Sequence, residues 1–263
     1  MVRLLTILSV IFWGGLVAAQ DTTLQRLDTG EDSRDWGGVG RLEIDGRGFC
    51  TGALVAPDLV LTAAHCLYEK SSGAAYDVRQ IEFRAGWRNG RAEAYRTVRR
   101  AVVHPKYAYS SEAKIENVQN DLALLELHHP IRNTTVAPFE TATGLRKGSQ
   151  IGVVSYAVGR EEAPSFQEVC QVMGRQRGVY VLSCNIDFGS SGAPVFVFED
   201  GKVRIASVVA AKAEVKGTKV ALGAALDHTL PELFAEHGKS SATAGGLMSL
   251  QKRNSTGAKF VRP

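Results

Sequence analysis

Three short segments that lie far apart in the chain carry residue types able to break an acyl bond. His65 lies among small residues in 61–66 (LTAAHC), Asp121 precedes an apolar run, and Ser191 lies in 188–194 (FGSSGAP). An imidazole can take the proton of a hydroxyl nucleophile, while a carboxylate holds that imidazole in the productive tautomer. The three residues together predict nucleophilic catalysis by Ser191, with His65 as general base and Asp121 orienting the histidine.

Each segment has an ordinary interpretation when it is taken alone. A lone histidine is more often structural than catalytic, and an aspartate before a strand is commonly a turn residue. A run rich in glycine and serine is usually only a loop. An aspartate at the mouth of an apolar strand, however, is partly buried and needs a charged or hydrogen-bonding partner. An imidazole N–H would be such a partner, so the hypothesis depends on the combination.

The glycines on both sides of Ser191 permit a tight backbone turn that other residues rarely adopt. Such a turn can expose the serine hydroxyl and aim the N–H groups of Gly189 and Ser191 at one point. Two converging N–H donors stabilise the oxyanion that forms when a nucleophile adds to a carbonyl. We therefore expect Gly189 and Ser191 to form an oxyanion hole.

Short strand-like patches recur along the chain and must position these residues, with Asp-Gly and Asn-Gly turn signals between them. The patches are 39–44, 49–55, 59–63, 79–85, 96–103, 122–127, 151–157, 179–183, 194–198, 203–210 and 219–225. Many short strands punctuated in this way predict an all-β barrel or sandwich, with a break near 135–148 between two comparable halves. Helical signals are confined to a single turn after Thr62 and to 230–237.

The two ends of the chain differ from its middle in composition. Residues 1–19 have a positive start, an apolar run from Leu4 and small residues up to Ala19, which predicts a cleavable secretory signal. A membrane anchor is the alternative, but the run is shorter than the roughly 20 residues that span a bilayer. We expect 20–35 to be a flexible leader or short propeptide and 239–263 to be a flexible basic tail.

The bulk composition fits a globular protein. The chain has 263 residues, 44% of them hydrophobic and 22% charged, with a formal net charge of +4. The positive charge in 239–263 could bind an anionic surface, although a solvated tail is the simpler interpretation. The sequence contains no nucleotide-binding loop, nucleic-acid patch or metal-ligand cluster, so we expect no cofactor, no metal and no nucleic-acid partner.

Four cysteines in an exported chain predict disulfides, and a zinc site is not indicated because no Cys-x-x-Cys spacing occurs. Four cysteines allow three pairings. Two strand-like segments flank a turn at 175–178, so Cys170 and Cys184 would face each other across a hairpin. That pairing leaves Cys50 with Cys66.

The order His, Asp, Ser with these flanking residues resembles the trypsin/chymotrypsin-like serine endopeptidases. Further local matches are 50–55 (CTGALV) and 104–107 (HPKY), and the resemblance covers roughly 36–230. It implies an all-β fold of two six-stranded antiparallel β-barrels packed around a central active-site cleft, followed here by the short C-terminal helix. It also implies the triad roles given above, a protease domain over 36–238, and a Cys50–Cys66 bridge.

Two features set the chain apart from animal trypsins. Those enzymes have an aspartate immediately before the nucleophile, which pairs with a new N-terminal amine after zymogen cleavage, whereas this chain has Ser190. An Arg/Lys-Ile-Val-Gly-Gly junction is also missing near the start of the sequence. The chain is in this respect closer to bacterial members, including the glutamyl-endopeptidase-like branch. We expect its oxyanion loop to form without that ion pair.

The residues of the specificity pocket are inferred from the same resemblance. The base of the pocket lies six residues before the nucleophile, at Asn185, which has no charge to recruit a basic side chain. One wall comes from 208–212, where Ala210 is small and Lys212 could favour an acidic substrate side chain. An exposed lysine at a strand end is the alternative interpretation of Lys212.

These features predict a secreted or periplasmic serine endopeptidase that acts as a monomer on protein or peptide substrates, without membrane contact after signal removal. A catalytically inactive binding module that kept the barrel fold is the main alternative. Degenerate members of the family usually lose the histidine or the serine, and this chain keeps both. Esterase activity on small acyl groups is a third hypothesis, since the same triad can perform it.

Overall fold

The computed structural model describes residues 23–110, 115–215 and 217–239, and most of their regular structure is β-strand. The strands are β1 (Gln25–Arg26), β2 (Val39–Ile44), β3 (Gly48–Ala56), β4 (Leu59–Thr62), β5 (Ile81–Ala85), β6 (Ala94–Val103), β7 (Ala123–Leu127), β8 (Glu140–Thr141), β9 (Gln150–Ser155), β10 (Ser165–Gln176), β11 (Val179–Leu182), β12 (Pro194–Glu199), β13 (Lys202–Val215) and β14 (Thr218–Ala225). The α-helices are α1 (Ile115–Gln119) and α2 (229–239), and 3-10 turns cover Arg34–Trp36, Ala64–Leu67 and Val78–Gln80.

The strands form two β-barrels, each closed by six antiparallel strands. The first runs in the order β2-β3-β4-β7-β6-β5. The second runs β9-β10-β11-β14-β13-β12 and closes because β9 also pairs with β10. The short strands β1 and β8 add to the outside of the second barrel, at β10 and β13. The expectation of two six-stranded barrels is therefore confirmed, and the segment 128–149 connects them.

The alternation of buried and partly exposed side chains explains why these segments form strands. In β5, Ile81, Phe83 and Ala85 are buried while Glu82 and Arg84 are partly exposed. Successive side chains on a strand point to opposite faces, so one face of β5 covers the barrel interior and the other meets its surroundings. Buried residues from both barrels join one apolar cluster, which holds the two barrels against each other.

Residues 23–35, the described part of the predicted leader or short propeptide at 20–35, pack against the folded body. β1 pairs with β10, and the N–H of Leu27 donates a 2.9 Å hydrogen bond to the carbonyl of Pro164. Leu27 is 2% exposed, and the Arg88 guanidinium donates to the hydroxyl of Ser33. No hydrophobic period marks this segment because a single buried leucine, rather than a repeating face, anchors it.

The hairpin of β10 and β11 forms as the cysteine positions predict. Its turn residues Arg177 and Gly178 have φ values of +47° and +76°, as a two-residue turn between twisted antiparallel strands requires. A disulfide joins Cys170 to Cys184 across this hairpin. The bridge ties β10 to the segment that follows β11 and leads to the Ser191 turn.

The C-terminal helix α2 packs against the first barrel. Leu230 and Leu233 are buried in the apolar cluster that contains the core of that barrel. Lys106, in the loop after β6, forms a 2.9 Å ion pair with Glu232 on the helix. The helix extends slightly beyond the predicted range 230–237 at both ends.

None of the helices in the described residues is long and apolar enough to cross a membrane. The predicted signal peptide at 1–19 lies outside the described residues, and so does the predicted basic tail after residue 239.

Candidate active site

His65 is positioned by the end of a first-barrel strand and by a disulfide. β4 ends at Thr62, and the 3-10 turn over Ala64–Leu67 then carries His65. The next residue, Cys66, forms a disulfide with Cys50 on β3. The turn is therefore linked covalently to a neighbouring strand, and the His65 side chain remains 28% exposed.

Asp121 lies two residues before β7 and holds His65 through two hydrogen bonds. The backbone N–H of His65 donates to Asp121 Oδ1 at 2.8 Å, and His65 Nδ1 lies 2.6 Å from Oδ2. An ionised carboxylate only accepts hydrogen bonds, so Nδ1 carries a proton and Nε2 is left as the proton acceptor of the neutral ring. The Asp121 side chain is 6% exposed, and these two donors compensate for its loss of water.

Opposing effects set the pKa of His65. Burial disfavours the charged imidazolium and lowers the pKa, whereas the charge of Asp121 and its hydrogen bond raise it. The effects of Asp121 prevail, so the pKa of His65 lies above its usual value of 6.5. Burial and the Asp121 charge also raise the pKa of the neighbouring Tyr107 hydroxyl, which stays neutral. His65 is thus a stronger base than a free histidine.

The turn that carries Ser191 is built from two glycines in the left-handed region. Gly189 has φ +94° and Gly192 has φ +79°, values that side chains with a Cβ rarely adopt. A Cβ atom on Gly189 would lie 2.2 Å from the Phe49 ring, and one on Gly192 would lie 2.1 Å from Thr62 Oγ1. Backbone conformation and close packing therefore both require glycine at these positions.

The amide groups of this turn alternate between paired and unpaired. The N–H of Ser190 donates to the carbonyl of Asp187 at 2.9 Å, and the N–H of Gly192 donates to a carbonyl of β13 at 2.8 Å. The N–H groups of Gly189 and Ser191 have no acceptor among the described residues. Two unsatisfied donors beside a serine hydroxyl are the arrangement that an oxyanion would satisfy.

Thr51 on β3 connects the first barrel to this turn. Its N–H donates to the carbonyl of Ser191 at 2.9 Å, and its hydroxyl donates to the carbonyl of Gly189 at 2.8 Å. The same hydroxyl accepts the N–H of Tyr156 at 3.1 Å, and the Thr51 carbonyl accepts the Thr62 hydroxyl at 2.9 Å. The position of Ser191 thus depends on contacts with both barrels.

One cleft of about 540 Å³ is lined by the candidate catalytic groups but not by Thr51. The structure brings His65, Asp121, Gly189 and Ser191 to this cleft, although they are far apart in sequence. The first-barrel side of the cleft is rich in aromatic side chains, namely Tyr68, Tyr76, Tyr107 and Tyr109. The cleft therefore combines an imidazole, a hydroxyl and two free amides with an apolar wall that could bind an extended peptide.

Only two of the three residues inferred for substrate binding line the cleft. Ala210 and Lys212 line the cleft, whereas Asn185 is exposed and does not line it. Lys212 Nζ forms a 2.8 Å ion pair with Asp187 and lies 4.0 Å from the centre of the Phe188 ring. The charge of Lys212 is therefore already matched by a carboxylate of the chain.

Several residues of the cleft and its support escaped the sequence reasoning. Ile186 lines the cleft next to the position expected for Asn185, and Phe188 lines it with 60% of its surface exposed. Thr51 lies within the matched run 50–55, but that run does not reveal that its hydroxyl reaches the second barrel. The missing signal is the contact between barrels, which has no local sequence pattern.

The sulfur and nitrogen atoms of Cys50, His65 and Cys66 lie within 4.8 Å of one another. The two sulfurs are bonded to each other, so neither is the thiolate that a metal ion would need. This cluster is a disulfide beside an imidazole.

Comparisons with known proteins agree with this fold. The Trypsin family model matches residues 30–181, which is more than half of the chain and ends before Ser191. A glutamyl endopeptidase of Bacillus licheniformis is 28% identical over 152 residues, covering 57% of this chain and 45% of that protein. A trypsin of Phaedon cochleariae is 37% identical over 92 residues, covering 34% of this chain and 32% of that protein. The chain thus spans less than half the length of these relatives.

A solved structure of a Glu endopeptidase in complex with MPD has the same fold. It aligns with a TM-score of 0.66 over 84% of this chain and 100% of that chain, at 18% sequence identity. At that identity the likeness supports the fold alone, and the similarity to a bacterial relative agrees with the expected affinity to bacterial members. Because the family model matches more than half of the sequence, this chain belongs to the trypsin family.

Proposed function

We propose that this chain is an exported serine endopeptidase in which Ser191 is the nucleophile, His65 the general base and acid, and Asp121 the orienting carboxylate. One observation carries the proposal. The Asp121 carboxylate fixes the tautomer of His65 at a cleft that also contains Ser191 and the unpaired N–H groups of Gly189 and Ser191. A base, a nucleophile and an oxyanion site in one cleft are the parts that acyl transfer needs.

In the first half of the reaction, Ser191 Oγ attacks the carbonyl carbon of the scissile peptide bond while His65 Nε2 takes the hydroxyl proton. The developing oxyanion accepts hydrogen bonds from the N–H groups of Gly189 and Ser191. Asp121 stabilises the imidazolium through Nδ1 without taking its proton. The C–N bond then breaks, and the imidazolium gives its proton to the leaving amine, so that an acyl-enzyme remains on Ser191.

In the second half, a water molecule takes the place of the amine. His65 Nε2 removes a proton from the water as it attacks the acyl carbon, and the oxyanion again binds at Gly189 and Ser191. Collapse of the intermediate breaks the ester bond and returns the proton to Ser191 Oγ. The products are a carboxylic acid and the regenerated hydroxyl, so protons and bonds balance over the cycle.

Export is supported by the disulfides as well as by the sequence at 1–19. Cys50–Cys66 and Cys170–Cys184 are both formed, and disulfides persist in oxidising compartments outside the cytosol. The glutamyl endopeptidase that matches this chain is bacterial. A secreted or periplasmic location therefore accompanies the proposal.

The identity of the substrate residue before the scissile bond does not follow from the catalytic residues. Preference for an acidic residue before the scissile bond stays a prediction, since the Lys212 that would favour it is already paired with Asp187 at 2.8 Å. Phe188 and the tyrosines of the opposite wall provide apolar surface to the peptide. A profile of cleavage sites decides between acidic, aromatic and basic preference.

The test is hydrolysis of a mixed peptide library by the secreted protein, with Ser191→Ala as the matched control. We expect cleavage at defined sites by the wild type and none by S191A. Peptide binding of equal strength by both proteins without cleavage would favour the inactive binding module. Turnover of small acyl esters without cleavage of any peptide would favour esterase activity, and either result would overturn the proposal.

A further inference from the structure

A half-buried arginine, Arg160, lies behind the Ser191 turn. Arg160, in the loop between β9 and β10, forms no ion pair with a described residue. Its Nη2 donates to the hydroxyl of Ser190 at 3.3 Å, and its Nη1 donates to the carbonyl of Ser155 at 3.2 Å. Both nitrogens also lie 3.3 Å from the Ser155 hydroxyl. A guanidinium that leaves water without an anion needs such a set of acceptors.

Ser190 is the residue immediately before the candidate nucleophile, and it is fully buried at 0% exposure. Its single hydroxyl proton has two acceptors within reach, the Ser155 hydroxyl at 3.2 Å and the Tyr156 carbonyl at 3.4 Å, and the oxygen accepts the N–H of Asp187 at 3.3 Å. Ser190 does not line the cleft. Its side chain therefore points into the protein interior, on the side of the turn opposite to the cleft.

Two opposing effects act on the pKa of the Arg160 guanidinium. Burial lowers the pKa of the Arg160 guanidinium, and the charge of Asp187 partly opposes that shift. Arginine nevertheless stays protonated in proteins. Arg160 thus stays charged at a half-buried position, where its hydrogen bonds go to Ser155 and Ser190.

We propose that Arg160 is a positioning residue that holds Ser190 and thereby sets the Gly189 and Ser191 amides for the oxyanion. Ser190 lies between these two amides in the chain, so rotation of its backbone would turn both N–H groups away from a common point. The guanidinium is supplied by the chain itself, and the turn is therefore assembled without a newly cleaved N-terminal amine. This inference rests on the proposed function for its catalytic consequence only.

The kinetic test compares Arg160→Ala with Arg146→Ala, an exposed arginine that makes no hydrogen bond to the turn. Removal of one oxyanion donor lowers kcat by about 10²–10³-fold. Displacement of the Gly189 and Ser191 N–H groups should therefore lower kcat at least about 10-fold. We expect R160A to lower kcat by about 10–10³-fold with little change in KM, and R146A to match the wild type. Millimolar guanidinium should restore part of the R160A activity, whereas sodium chloride at equal ionic strength should not.

A double-mutant cycle tests whether Arg160 acts through Ser190. Ser190→Ala alone should lower kcat in the same direction, and adding it to R160A should cause little further loss, because the two side chains form one contact. Additive losses would mean that Arg160 acts elsewhere. Arg160→Gln keeps the length of the side chain and replaces R160A if the smaller variant does not fold.

Amide hydrogen exchange separates this inference from the proposed function. It is measured on S191A and on S191A with R160A, so it does not need catalysis. We expect faster exchange in peptides covering 186–193 and unchanged exchange in the strands of the first barrel. If the wild type cleaves nothing but the turn loosens, the proposed function fails and the positioning role stands. Unchanged exchange and unchanged kcat in R160A would overturn the inference.

Discussion

The Thr51 hydroxyl in the first barrel donates a 2.8 Å hydrogen bond to the carbonyl oxygen of Gly189 in the second barrel. The N–H of the same residue holds the carbonyl of Ser191 at 2.9 Å. Thr51 is completely buried, so these bonds do not exchange with water. Thr51 of the first barrel therefore helps to determine where the candidate nucleophile and the proposed oxyanion donors of the second barrel lie.

Removal of the Thr51 hydroxyl should damage both stability and catalysis. Thr51→Val keeps the branched shape but leaves the Gly189 carbonyl and the Tyr156 N–H without this partner, and an unsatisfied buried group costs about 1–3 kcal/mol. We expect the free energy of unfolding to fall by about 2 kcal/mol and kcat to fall at least about 10-fold. Urea denaturation and peptide hydrolysis measure the two effects.

Thr51→Ser is the control, because it keeps the hydroxyl and removes only a methyl group. It should retain most of the wild-type kcat. A Thr51→Val variant with wild-type kcat would show that the hydroxyl contact between the barrels does not position the site.

The raised pKa of His65 predicts how activity depends on pH. The neutral imidazole is the active base, so kcat/KM should fall as the pH decreases through a pKa above 6.5. In Asp121→Asn the raising effect of the carboxylate charge is lost while the lowering effect of burial remains. The midpoint of the D121N profile should therefore move to lower pH, with kcat reduced about 10⁴-fold.

A pH–rate profile of the wild type and of D121N, each measured from pH 4 to 9 with one peptide substrate, checks this expectation. A midpoint that is the same in both proteins would mean that Asp121 does not control the protonation of His65.

Gly192 can be tested against a glycine with similar backbone conformation but open surroundings. A Cβ on Gly192 would lie 2.1 Å from Thr62 Oγ1 and 2.2 Å from the Thr51 carbonyl, whereas a Cβ on Gly46, at φ +62°, would meet nothing within 4 Å. Gly46→Ala should cost about 1–2 kcal/mol for the left-handed conformation alone. Gly192→Ala should cost about 1–3 kcal/mol more because of overpacking. Equal losses in urea denaturation would contradict this account of the turn.

Leu27 tests whether the segment before the first barrel belongs to the fold. Its side chain is 2% exposed, and truncation of a buried leucine costs about 2–5 kcal/mol. Leu27→Ala should therefore lower Tm by several degrees, since 1 kcal/mol corresponds to about 2–4 °C for a domain of this size. Gln25→Ala, at an exposed neighbouring position, should not change Tm. An unchanged Tm in L27A would mean that this segment does not contribute to the stability of the fold.

The strands were predictable where burial alternates over several residues. β2 agrees with the predicted 39–44 because its apolar residues mark one face of a barrel. β1 has only two residues and α1 only five, so neither contains enough of a period to be recognised. The length of β13, which continues to Val215, was underestimated because its last residues are exposed and resemble a loop.

The candidate triad was predictable for a different reason, since His65, Asp121 and Ser191 each lie in a distinctive local motif. Thr51 and Arg160 were not, because their importance comes from contacts across the chain with the turn around Ser190. Asn185 was placed by counting back from the nucleophile, and counting does not show which side chains of an irregular loop face the cleft. The candidate triad could therefore be predicted from local sequence motifs, whereas the contacts that position it could not.

The most direct measurement of the central claim is covalent labelling by a fluorophosphonate, which reacts with a serine only when base and oxyanion donors activate it. Intact-protein and peptide mass spectrometry should find one adduct per chain, located on Ser191. His65→Ala should label far more slowly, and S191A should not label at all. A folded wild-type protein that gains no adduct, or an S191A protein that still gains one, would contradict the assignment of Ser191 as the nucleophile.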